Sequence, residues 1–173
     1  MSCALTQGYN HATACKTNAG SSEVLITELS NITAITLTAN VVTAITMASG
    51  KQFRRYELDE GKVKTASNFV GNVANKTYKY EHKVDITLNS WSTTVANEVK
   101  LIGLNRTVQI VKGNNSVYRI YAPYVGLDMV TGTDENEEAL DGFIGHKLSF
   151  TANETVQAYE VDSSIITALL SPA

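Results

Sequence analysis

From Lys76 to Leu88 the chain alternates without a break: Tyr78, Tyr80, His82, Val84, Ile86 and Leu88 take the even positions, and Thr77, Lys79, Glu81, Lys83, Asp85 and Thr87 the odd ones. Successive side chains of a strand point to opposite faces, so this pattern predicts one long strand with an apolar face and a wet face. At ~3.3 Å per residue it would reach about 40 Å, well beyond the usual five or six residues of a strand. A ribbon of that length needs neighbours along its edges and a cover over its apolar face, and it commits the chain to a mainly β fold.

The flanking sequence supplies the neighbours. Lys51 to Leu58 and Val63 to Val70 stand on either side of Asp59-Glu60-Gly61-Lys62, a Gly-containing connection of hairpin length. They predict two strands that run as an antiparallel meander into the long one, with Gly71-Asn72 opening the second connection. Earlier, Glu23 to Leu29, Ile32 to Leu37 and Val42 to Met47 are β-branched and Thr-rich, and Ile32-Thr33-Ala34-Ile35-Thr36 is echoed by Val42-Thr43-Ala44-Ile45-Thr46. An echo seen twice predicts two similar strands rather than a repeat architecture.

Between Ser92 and Leu104 the period changes. Val95, Val99 and Ile102 fall on one side at helical spacing, which predicts the one helix, capped by Ser92, Thr93 or Thr94 and ended at Asn105. Thr107 to Lys112 and Val117 to Ala122 flank Gly113-Asn114-Asn115 as a second hairpin. Gly126 to Asp141 reads as loop, Phe143 to Thr151 and Thr155 to Val161 as a final strand pair, and Ser163 onward as a short amphipathic helix or a docking arm. The expected fold is an antiparallel β-sandwich or barrel with a long β-hairpin and one flanking α-helix at about residues 92–104. Its expected parts are an extended segment at 1–22, the β domain at 23–162 and a C-terminal arm at 163–173.

Composition narrows function. A chain of 173 residues fits one core, and at a net charge of -3 with no Lys/Arg cluster larger than Arg54-Arg55 it lacks the many cations of a nucleic-acid reader. Met1 to Gly20 has no basic region followed by an apolar run, and no apolar stretch approaches the ~18 residues of a membrane span, which predicts cytosolic synthesis and no membrane partner. Cys3 and Cys15 lack the companions of a zinc site and read as reduced thiols, a disulfide being the alternative. Five Asn-x-Ser/Thr triplets, at Asn31, Asn75, Asn105, Asn114 and Asn153, are expected by chance in a chain so rich in Asn and Thr.

Catalytic and cofactor signals are weak. None of His11, His82 and His146 adjoins a nucleophile motif, and His82, on the apolar face of the long strand, reads as a hydrogen-bonded core or interface histidine. The acidic run Asp134 to Glu138 lacks the spacing of a calcium loop and reads as a solvated face, or as a surface that repels phosphate. Gly103, Gly113, Gly126, Gly132, Gly142 and Gly145 sit at turns and loop ends rather than in a phosphate loop. Phe53-Arg54-Arg55-Tyr56 could stack on single-stranded nucleic acid, but sheet packing accounts for it equally well. No cofactor, metal or catalytic residue is expected, and the chain reads as a non-enzymatic structural protein.

The order of strands, long amphipathic hairpin, helix at Ser92 to Leu104 and strands again resembles the tail tube proteins of tailed bacteriophages. The stretch Gly126-Leu127-Asp128, Thr131-Gly132-Thr133 and Gly142-Phe143-Ile144-Gly145-His146-Lys147-Leu148-Ser149-Phe150-Thr151 is similar to a closing block of tailed-phage structural proteins. The resemblance spans residues 20 to 161. It implies a virion protein made in the bacterial host cytoplasm that assembles into stacked, hexameric rings through which genomic DNA passes without specific binding. Copies of itself would then be its main partners, with sheath, tape-measure or connector proteins beside them. On that reading Tyr78, Tyr80, His82, Val84, Ile86, Phe53 and Tyr56 are the candidate subunit interface, and Glu57, Asp59, Glu60, Glu81 and Asp85 candidate acidic residues of the lumen. Residues 1–22 and 163–173 would reach the next ring. Capsid-decorating, head–tail connector and adhesion β-domains share such a layout and form the alternative.

Overall fold

The computed structural model describes residues 19–139 and 141–173. Cys3, His11, Cys15 and most of the N-terminal segment lie outside the described residues. Among the described residues the chain is mainly β, with two sheets and one helix longer than a turn. In chain order the strands are β1 (Ser21–Glu28), β2 (Ile32–Thr38), β3 (Val41–Met47), β4 (Arg54–Glu57), β5 (Val63–Asn72) and β6 (Thr77–Leu88), followed by helix α1 (Thr93–Leu104). Then come β7 (Thr107–Gly113), β8 (Tyr118–Tyr121), β9 (Asp128–Asn136), β10 (Ile144–Glu154), β11 (Tyr159–Val161) and a last helical turn, α2 (Ile166–Leu169).

A seven-stranded sheet A runs β2-β3-β11-β8-β7-β1-β4, and a four-stranded sheet B runs β5-β6-β10-β9. All neighbours are antiparallel except β11 with β3. The two echoed segments are the two arms of one hairpin, with Ile35 opposite Ile45 and Thr36 opposite Ala44. Ala39 and Asn40 close it at φ 50° and 67°, the left-handed pair that a two-residue turn between twisted strands requires.

Apolar residues of both sheets meet between the layers: Val24, Ile26 and Val111 from sheet A, and Val63, Val84, Ile86, Leu148 and Phe150 from sheet B. Ile102 and Val99 bring α1 against the same core. Alternation on sheet A then demands a second cover, because Leu25, Val108, Ile110 and Ile120 point the other way. Phe53, Val42, Ile45, Ile166 and Leu169 provide it.

Three expectations are corrected. The Asp59–Lys62 turn does not join a hairpin, because β4 pairs with β1 in sheet A while β5 pairs with β6 in sheet B, so the turn carries the chain between layers. The stretch read as loop contains β9, which lacks an apolar alternation and is held by its ladder with β10. Its Asp134 and Glu135 lie on an edge strand, where charge discourages stray pairing. The predicted final pair is split as well, β10 lying at the centre of sheet B and β11 between β3 and β8 in sheet A.

Of the two readings for residues 163 onward, a short helix or a docking arm, the short helix is the one found. These residues fold onto the chain's own body: Ile166 and Leu169 are buried, the Phe53 amide donates to the Leu169 carbonyl at 2.9 Å, and Gly50 and Lys51 exchange backbone bonds with Ala173. Ser92 caps α1 as expected, accepting from the Val95 amide at 3.2 Å. No helix among the described residues is long and apolar enough to cross a membrane.

Candidate self-association surface

The β5–β6 hairpin is paired in register from Val63 with Ile86 to Asn72 with Thr77. On the other edge of β6, β10 supports it only from Leu88 to Tyr80. Beyond Tyr80 the hairpin continues as a two-stranded ribbon. Residues that face each other across a ladder share a face, so Phe69 opposite Tyr80 and Gly71 opposite Tyr78 continue the face that holds Val63, Val84 and Ile86 in the core. Sheet A lies over the inner part of that face and leaves the outer part open.

The outer part carries a three-ring cluster. Phe69 stacks on Tyr78 with ring centroids 5.4 Å apart and meets Tyr80 edge-on at 5.5 Å. Phe69 is 62% exposed and Tyr78 56% exposed, with Val73 open at the turn. Gly71 leaves the room the stack needs, since a Cβ there would stand 3.2 Å from Phe69 Cε1. Tyr159 lies near Tyr78 and Tyr80 of the cluster. Burial first, and then the nearby Tyr124, Glu154, Tyr80 and Tyr78, push the Tyr159 phenol above its ordinary value.

Where the ribbon enters the body, a polar knot secures it. His82 is fully buried on β6, and its Nε2 lies 3.0 Å from the Val156 carbonyl oxygen, which can only accept, so Nε2 carries the proton. Glu154 is also buried, with one carboxylate oxygen 3.6 Å from that nitrogen. Its other oxygen accepts from the Tyr124 and Val125 amides at 2.7 and 2.8 Å. The Tyr121 ring meets His82 edge-on, and its hydroxyl bonds Thr65 at 2.9 Å. The knot ties β5, β6, β10 and the turn after β8 together at the root of the hairpin.

The opposite face of sheet B is wet and mixed in charge. Lys83 lies 3.6 Å from Asp85, the Ser149 hydroxyl donates to Asp85 at 2.5 Å, and Lys79 donates to Asn153 at 2.8 Å. Lys147 pairs with Glu135, and this bond holds the Glu135 carboxyl below its usual range. On the core-facing side of the same strand pair, Asp134 pairs with the buried His146 on β10. Among the described residues no three His, Cys, Asp or Glu side chains converge as metal ligands would.

At the far end of β6 lies a groove of about 410 Å³ between α1 and the β4–β5 connection. Leu58, Leu88, Val95 and Val99 give it an apolar wall, and Glu57, Asp59 and Glu98 stand around it. The Tyr56 hydroxyl donates to Glu98 at 2.7 Å, and Asn89 donates to Asp59 at 2.8 Å, so two of the three carboxylates are held in place. Burial, then the bond to Glu98 and its charge, push the Tyr56 phenol well above its ordinary value.

No family model matches this chain, and comparison with curated proteins and with solved structures finds none similar to it.

The geometry redistributes the candidate residues. Phe53, His82, Val84 and Ile86 are each no more than 2% exposed and are covered by the chain's own core, which removes them from the candidate interface. Tyr78 and Tyr80 form the exposed ring cluster, and the half-buried Tyr56 lies at the groove. The five candidate acidic residues do not share one surface. Glu81 and Asp85 lie on the mixed wet face, Glu57 and Asp59 line the groove, and Glu60 is exposed in the turn beside it. Phe69 was legible only by aligning β5 against β6, whereas Glu154 and the groove residues left no local signal, since distant segments create their surroundings.

Proposed function

We propose that this chain is a non-enzymatic structural subunit that works by associating with copies of itself, as a tail tube protein of a tailed phage, in stacked hexameric rings around a DNA passage. One observation carries the reading: a ladder-paired hairpin leaves the sandwich and ends in an aromatic cluster whose Phe69 and Tyr78 are more than half exposed. Contiguous exposed aromatic surface is costly in water and marks a contact site. The sandwich, the flanking helix and the hairpin order agree with the resemblance read from the sequence. On the wet face of sheet B, Lys83 and Lys147 are paired with carboxylates, which reduces what they offer a passing phosphate backbone.

Electron microscopy of the purified chain tests the proposal. Rings or tubes with a central hole are expected, and a chain that remains a single small particle at every concentration overturns it in favour of a capsid-decorating, connector or adhesion domain. In assembled particles, Glu81→Lys with Asp85→Lys should slow DNA passage if the wet face lines the lumen. Unchanged ejection would place that face elsewhere.

A further inference from the structure

The geometry points to a head-to-tail contact in which the aromatic hairpin tip of one copy docks into the groove between α1 and the β4–β5 connection of the next. The inference rests on the self-association reading and assigns its two surfaces. Shape comes first. The tip offers Phe69 and Tyr78 as a projecting apolar knob, and the groove offers an apolar wall within a space of about 410 Å³. That volume falls in the ~300–1,000 Å³ range of sites that seat small organic groups.

Charge agrees with shape. The tip, residues 68–79, carries Lys76 at its turn and no carboxylate, while Lys79 points to the wet face and bonds Asn153 there. The groove is lined by Glu57, Asp59 and Glu98 and by no cation. Opposite charges around an apolar contact steer the encounter and fix its register. Glu57 is already 3.8 Å from Arg55 on the exposed strand β4, which leaves Asp59 and Glu98 as the main anchors for Lys76.

The separation of knob and groove decides who fills whom. Tyr78 and Leu88 lie on the same strand, ten residues and hence roughly 33 Å apart. Strand β6 is paired along its whole length, so the tip cannot fold back into its own groove. The tip of one copy can therefore enter only the groove of another, and a second copy carries a knob of matching shape and charge. Contacts between two different surfaces of one chain are heterologous, and they close into a ring or propagate as a stack.

Two variants of the full chain test this by sedimentation and electron microscopy. The first, Phe69→Ser with Tyr78→Ser, removes the knob, and the second, Ser90→Trp, fills the groove. Each alone should weaken self-association by at least about 30-fold, the size of an interface hot spot. Mixed in equal amounts they should form a dimer and nothing larger, because one intact knob meets one intact groove. Charge provides a second route should either variant misfold: Lys76→Glu and Glu98→Lys should each weaken assembly, and their combination in one chain should restore it.

A groove-filled chain that assembles like the wild type overturns the docking while leaving self-association standing. So does a mixture that stays monomeric, or a charge pair without rescue. A wild-type chain that never associates overturns both readings.

Discussion

Between Val63 and Ser67 on β5, and between His82 and Leu88 on β6, the hairpin lies beneath sheet A; between Asn68 and Lys79 it stands outside the sandwich. The two halves belong to one ladder and follow one alternation. Inside, the apolar face holds Val84 and Ile86 with almost no exposed surface; outside, the same face holds Phe69 and Tyr78 more than half exposed. Alternation therefore sets which side is apolar, and the reach of the second layer sets where that side is covered. Chemistry changes at the boundary too. Branched aliphatics fill the covered half, Phe69 and two tyrosines occupy the open half, and His82 with Glu154 marks the crossing. Tyrosine suits the open half, since its hydroxyl stays solvated while its ring remains available for contact.

The largest effect is expected from the covered half. Ile86→Ala would leave a cavity between the sheets and should cost about 2–5 kcal/mol. Denaturant unfolding measures it, and a loss below about 1 kcal/mol would mean that this half is not closely packed. At the boundary, Glu154→Ala would strand the Tyr124 and Val125 amides and leave His82 without its carboxylate. A loss of about 2–3 kcal/mol is expected, with partial recovery in Glu154→Gln, whose amide oxygen can still accept. Equal stability of the two variants would show that the knot is not held by those bonds.

Much of the covered half was legible in the sequence because strand periodicity survives burial. The strand at Thr77–Leu88, the helix behind Ser92 and the hairpin of β7 and β8 all announced themselves through period, cap or turn residues. What failed was the choice of neighbours. A turn such as Asp59–Lys62 has the composition of a hairpin, yet nothing local tells whether its two strands stay in one sheet. Strand β9 fails differently. With Gly132 and polar residues along most of its length it has almost no apolar face, and its extended form is dictated by β10. The surface residues were misassigned for a related reason: the alternation of Tyr78 to Ile86 is continuous, so it carries no mark of where sheet A ends.

A reversed balance is expected in the open half. Phe69→Ser or Tyr78→Ser should change the stability of the monomer by no more than about 0.5 kcal/mol, as for other exposed positions, while weakening self-association severely. Thermal unfolding alongside sedimentation separates the two. A variant that loses several kcal/mol of stability would place the cluster within the core, and the contrast between the halves would disappear.

The smallest effect sharpens the contrast most. Gly71 faces Tyr78, and a Cβ there would stand 3.2 Å from Phe69 Cε1, so Gly71→Ala asks the ring to move by a few tenths of an ångström. In the covered half such a shift would press on close-packed neighbours and cost about 1–3 kcal/mol. At the tip the ring has solvent on one side and can yield. Replacing Gly also stiffens the unfolded chain, which favours folding by about 0.4–1 kcal/mol where the backbone accepts Ala. The two terms should nearly cancel, leaving stability unchanged while the Phe69–Tyr78 stack tilts and self-association weakens by a few-fold. A clear loss of stability in Gly71→Ala would mean that the ring is wedged rather than free, and that the tip is held as firmly as the body it leaves.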